Sequence, residues 1–140
     1  CLYHAASVIA CNYFITLIDV AKRAYVQAGI EEREALDLME PLIRGTVDNV
    51  FSSGPAESLT GPIARGDVNT VIRHIEEIEK WDPSVASLYR TMGKETCRLA
   101  RSAGLNDESV ERLLNSISSK NHGKELFPRK EIENKHGIDS

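Results

Sequence analysis

The stretch from Leu2 to Val20 constrains this chain more than any other: 14 of its 19 residues are apolar, and they fall on nearly every side of a helix rather than on one stripe. A helix apolar all round has to be covered all round. Five polar residues interrupt the run: His4, Ser7, Asn12, Thr16 and Asp19. A membrane span tolerates few such groups, and an acid at mid-bilayer costs a few kcal/mol. No basic segment precedes the run and no cleavage-like pattern follows it, so it does not read as a signal peptide. The stretch is therefore expected to be a buried core helix, running from about Tyr3 to Ala28 and stopped by Gly29. Its cover would come from the other helices, a second copy of the chain, or a further domain. The chain opens inside this run without Met, which reads as a cut from a longer protein.

Four more helices are expected. Glu32 to Phe51 begins with acids in its first turns, where the helix dipole favours them, and repeats Leu36, Met39, Leu42, Ile43, Val47 and Val50 on one face. Pro41 should kink or break it. Ser52 to Asp67, rich in Gly and Pro, is the main loop, with one helical turn expected at Ala56 to Leu59. Asp67 caps a helix from Val68 to about Lys80, with Val71, Ile75 and Ile78 inward. Asp82-Pro83 starts the next, which runs to Ala103 with a stripe of Val85, Leu88, Met92, Thr96 and Leu99. The last begins after Asn106 and carries Val110, Leu113, Leu114 and Ile117. Helices thus account for residues 1–120 as one domain, and 121–140 reads as a polar, mobile tail.

Composition narrows the function classes. The net charge of −4 gives no basic field for nucleic acid. The cysteines, Cys1, Cys11 and Cys97, are odd in number and lack CxxC spacing, which argues against a disulfide framework and for a reducing cytosol. Cys11 and Cys97 are expected to be small buried residues. No close His/Glu spacing suggests a metal. There is neither a GxGxxG nor a GxxxxGK[ST] motif, so the chain should not bind a dinucleotide or nucleoside triphosphate by itself.

Polar residues on an apolar helix need partners. In an ideal helix His4 and Asn12 project about 80° apart, two turns apart in height. They read either as satisfied core groups or as the border of a cleft. His74 reads as a structural or surface residue. Arg65-Gly66-Asp67 spells an adhesion tripeptide, but Asp67 is already explained as a helix cap.

Several stretches resemble one bacterial family: Tyr3-His4-Ala5-Ala6 opening the apolar helix, Asn12, Pro41 to Thr46 with Asn49, Leu59-Thr60-Gly61-Pro62-Ile63-Ala64-Arg65-Gly66-Asp67, and Leu88 to Gly93. The family joins an N-terminal Rossmann-like domain to a helical domain of unknown function, and the resemblance covers about residues 2 to 105. It is similar in turn to the 6-phosphogluconate dehydrogenase C-terminal-domain-like group. This implies an all-α domain with a long central first helix, a homodimer, and NADP or NAD held by a Rossmann domain outside this chain. No cofactor, nucleic acid or membrane is expected on the chain itself, and the setting is cytoplasmic.

Several relatives carry Lys-x-x-x-Asn on the first helix. Asn12 would match the Asn, but Val8 stands at the Lys position. The resemblance therefore implies His4 as the alternative proton donor and Asn12 as a holder of a substrate oxygen. Thr60, Gly61, Pro62 and Arg65 would line the cleft, with Arg65 clamping a carboxylate. The expected function is a helical substrate-binding and dimerisation domain of an NAD(P)-dependent oxidoreductase. A non-catalytic binding or assembly module is the alternative.

Overall fold

The computed structural model describes residues 1–119; the polar stretch expected to be a mobile tail lies outside them. Among the described residues the chain is all-α. α1 (Leu2–Ser7), a π-helical turn (Val8–Tyr13) and α2 (Phe14–Gln27) form one continuous helix. α3 (Glu32–Ser53), α4 (Gly61–Ala64), α5 (Val68–Trp81), α6 (Pro83–Ser102) and α7 (Asp107–Ser118) follow. Helix ends fall within about two residues of the sequence expectation. The exception is the loop, where Pro55 to Ser58 form a plain turn and the helical turn sits at α4 instead.

Two regions result. α4 to α7 pack together into a bundle around Ile63, Val71, Ile75, Cys97, Ala100, Val110, Leu113 and Ile117. Burying a Val, Leu or Ile side chain contributes about 1.5–3 kcal/mol, so this cluster is the main source of stability. The caps read from sequence are in place. Asp67 accepts from the Thr70 amide at 3.1 Å, Asp82 from Ser84 at 2.8 Å, and Asn106 from Ser109 at 2.9 Å. Arg90 closes the far end of α7, donating to the carbonyls of Ile117 at 2.7 Å and Ser119 at 2.8 Å while pairing with Glu79.

The inward stripe of α6 differs from the expected one. The buried residues are Val85, Ala86, Gly93, Cys97 and Ala100, whereas Leu88 and Leu99 are half-buried and Met92 is 43% exposed. Small side chains win the inner face because α7 comes very close. A Cβ on Gly93 would stand 3.1 Å from Ile117 Cδ1. The larger apolar residues are displaced to the neighbouring face.

The other region is a hairpin. Gly29, at φ +97°, turns the first helix back, and α3 lies along α2. Lys22 pairs with Glu32 at 3.1 Å across the turn. Only Ala35 and Met39 are buried in α3, and no residue of Leu2–Gln27 is buried. The expectation of a core rod is thus overturned within this chain: Leu2 is 84% exposed, Tyr3 88% and Ile15 66%. One helix, α3, flanks it on one side only, and the bundle forms its own core apart. α3 also runs on through Pro41, so of the kink or break expected there the break does not occur. An exposed helix can tolerate the lost amide because water reaches the freed carbonyl. The joint between hairpin and bundle is Arg23, whose guanidinium lies 5.9 Å from the Trp81 ring centre and 3.7 Å from Asp82.

Candidate functional site

The first helix sorts its own polar residues. Ser7 donates to the Tyr3 carbonyl at 3.3 Å and Thr16 to the Asn12 carbonyl at 3.0 Å. Asp19 pairs with Arg23 at 3.3 Å. These three are explained by neighbours on the same helix. The side chains of His4 and Asn12 are exposed and meet no protein hydrogen-bond partner among the described residues. The satisfied-core reading of these two therefore does not describe them in this chain.

The turn between them is unusual. Val8–Tyr13 is π-helical, the wider turn closed by bonds that span five residues instead of four. A wider turn takes a smaller angular step per residue. It brings Asn12 round toward the line of His4, closing much of the separation an ideal α-helix would leave. Val8 stands between them on the same side.

The loop residues are held differently. Thr60 is extended and exposed at the start of α4, Gly61 has φ +90°, and Pro62 occupies the first turn. Ile63 drops into the bundle core and anchors the segment. Gly66, at φ +72°, leaves room for Ser109, whose Cβ would lie 3.3 Å from an added side chain. The amide of Asp67 donates to the Pro62 carbonyl at 2.8 Å. Most of this motif is thus a rigid turn that starts α5, and Asp67 is its cap. The Thr70 hydrogen bonds hold the Asp67 carboxyl below the usual range, with Arg65 and Arg73 helping. Arg65 is exposed and makes no ion pair among the described residues, so its guanidinium faces solvent.

The chain does not join these two sets of residues. α1 and the π-helical turn pack mainly along their own helix, while α4 packs on α5 and α6. None of the grooves described below is lined by His4, Asn12, Thr60 or Arg65. One apolar groove is formed by residues that the sequence reading did not single out as a site. It lies between α2 and α3, about 520 Å³, over Phe14, Ile18, Leu36, Met39, Ile43 and Val47. Asp37, Glu40, Arg44 and Asp48 stand along it. The three- and four-residue spacing of the α3 apolar residues was its only sequence signal. A second hollow of about 520 Å³ beside the loop is bordered by Asn69, Arg112 and Asn115.

The remaining reactive side chains divide by burial. Cys97 is fully buried, and desolvation raises its thiol pKa, as expected of a core residue. Cys11 is exposed, against expectation, because the helix around it is uncovered. His74 Nδ1 and Tyr89 Oη are 3.0 Å apart, and burial raises the Tyr89 pKa. The pair ties α5 to α6 and agrees with a structural role for His74. Among the described residues no cluster of His, Cys, Asp or Glu could hold a metal ion.

The architecture defines an all-α domain with a projecting helical hairpin. The chain belongs to the family described as a domain of unknown function (DUF2520), whose model matches residues 1–96, from the first helix well into α6. Neither the curated proteins nor the solved structures gave a match to this chain.

Proposed function

We propose that the chain is the helical substrate-side and dimerisation domain of an NAD(P)-dependent oxidoreductase, of the 6-phosphogluconate dehydrogenase C-terminal-domain-like kind. One observation carries this reading. Of the five polar residues on an otherwise apolar and uncovered helix, only His4 and Asn12 are left without a local partner. They lie on a surface that needs a cover, with the π-helical turn bringing them toward one line. An imidazole there can pass a proton near neutral pH, and an amide can hold a carbonyl or hydroxyl oxygen. Arg65 supplies a free guanidinium for a carboxylate if a covering domain brings the loop and the helix to one cleft.

The described residues do not fit the dinucleotide itself. Among the described residues there is no strand leading into a glycine-rich turn and helix, the arrangement that cradles a pyrophosphate. On this reading the nicotinamide chemistry belongs to a Rossmann domain beside it. Calorimetric titration of this chain with NADPH is expected to give no binding, and micromolar affinity would overturn the division of labour. In the protein joined to its Rossmann domain, His4→Ala should lower turnover on small oxo-carboxylates at least tenfold with NADPH affinity unchanged.

Val8 favours the second reading, a non-catalytic assembly module, since a valine cannot do the work of a lysine. In that case His4→Ala and Asn12→Ala leave turnover untouched.

A further inference from the structure

Nine arginines stand among the described residues, and six of them form ion pairs with acids. The three that do not, Arg65, Arg73 and Arg112, gather at one place. Arg65 and Arg73 both act on the Asp67 carboxyl, and Arg112 shares a hollow with Asp67. The hollow, about 520 Å³, is walled by residues 66–69 on one side and by Arg112 and Asn115 of α7 on the other. The close approach of Gly66 to Ser109 brings these walls together, and Arg112 stands about one turn further along α7. The side chains of Arg112, Asn69 and Asn115 meet no partner among the described residues, and Arg73 reaches only the Thr70 hydroxyl, at 3.2 Å. The neighbouring acids leave Arg112 unpaired. Asp67 accepts from the Thr70 amide at 3.1 Å, Glu111 is held by Arg101 at 3.1 Å, and Glu108, one turn before Arg112, makes no ion pair among the described residues.

We propose that this hollow is an oxyanion site, which takes the carboxylate or phosphoryl group of a small molecule. A guanidinium presents parallel N–H donors matched to two oxygens of such a group. The carboxamides of Asn69 and Asn115, one on each wall, supply further donors. The other six arginines are each spent on a carboxylate of this chain. The three beside the hollow are left for an anion that the described residues do not supply. The volume is that of a small-molecule site and exceeds one bare ion, so the charged group is one end of a larger molecule. The site does not rest on the oxidoreductase reading, since its walls are the start of α5 and α7 and no residue of the first helix lines it.

Amide NMR titration of the full chain tests this, with inorganic phosphate and with succinate at constant ionic strength. At least one of the two is expected to saturate in the millimolar range and to shift the signals of residues 66–69 and 112–115 together. Saturation by phosphate alone assigns a phosphoryl group, by succinate alone a carboxylate, and by both the oxyanion they share. Arg112→Gln should weaken that binding about tenfold or more. Arg112→Lys, which keeps the charge but loses the planar fork, should give an intermediate loss. Arg98→Gln, at an exposed and ion-paired arginine of α6, should leave binding unchanged. Circular dichroism confirms that each variant keeps its helicity. Shifts that spread over the basic residues without saturating would overturn the site, as would undiminished binding by Arg112→Gln.

Discussion

The bundle and the hairpin use the same element in opposite ways. α5, α6 and α7 are amphipathic, and each finds its partners within the chain. Ile75, Leu113 and Ile117 are at most 1% exposed. The first helix is more apolar than any of them, yet none of its residues is fully buried. Apolar content therefore does not decide what is interior here. A stripe about 100° wide can be satisfied by two neighbours, whereas an all-round surface exhausts the helices that the same chain can offer. The bundle holds its own core; the hairpin presents a surface for something else to cover.

The largest expected contrast is in stability. Leu113→Ala and Ile117→Ala should each cost about 2–5 kcal/mol by thermal or urea unfolding, while Ile15→Ala in the dilute single chain should cost no more than about 0.5 kcal/mol. An equal loss from Ile15→Ala would mean that the hairpin is covered within the chain. Next comes Arg90→Ala, which frees the two α7 carbonyls and should cost about 1–3 kcal/mol without touching the hairpin. Amide exchange sharpens the same division. Protection should be high in α5 to α7 and low from α1 to α3, rising in the hairpin alone as concentration increases.

Lipid is the other possible cover, since Leu2–Gln27 is long and apolar enough to cross a membrane. Flotation with neutral phosphatidylcholine vesicles should leave the chain unbound. Co-flotation would replace the protein cover by a bilayer.

The smallest effect concerns Asp67. Its carboxyl pKa is lowered on folding by the Thr70 hydrogen bonds. The cap therefore contributes above the unfolded value of 3.8 and is lost as pH falls through the lower folded value. Asp67→Ala should reduce the melting temperature slightly at pH 7. Asp67→Asn, which also caps well, should restore it and flatten the acid limb.

Helix positions were legible because their signals are local. Gly29, Asp67, Asp82-Pro83 and Asn106 act within one turn of where they stand. The inner face of α6 was not legible by hydrophobicity, because Gly93, Cys97 and Ala100 are chosen for how near α7 can come. That distance belongs to a helix pair and not to a residue. The fate of the first helix was misread for a related reason: the need for cover was written in the chain, but the supplier was not. His4 and Asn12 stood out as polar residues in an apolar run. What the sequence could not separate was these two from Ser7 and Thr16, which bond back to their own helix.

The π-helical turn has a mechanical corollary. It stores one surplus residue in an otherwise regular rod, and removing a single residue, such as Ala10, would let that turn relax to ordinary pitch. The lost residue and the steeper angular step nearly cancel, so the side chains upstream would keep almost the same azimuth relative to α3. His4 would stay within about 20° of the line of Asn12, since seven residues at ordinary pitch nearly complete two turns. The surplus residue is therefore what aligns His4 with Asn12 across an eight-residue spacing that ordinary pitch would leave about 80° apart.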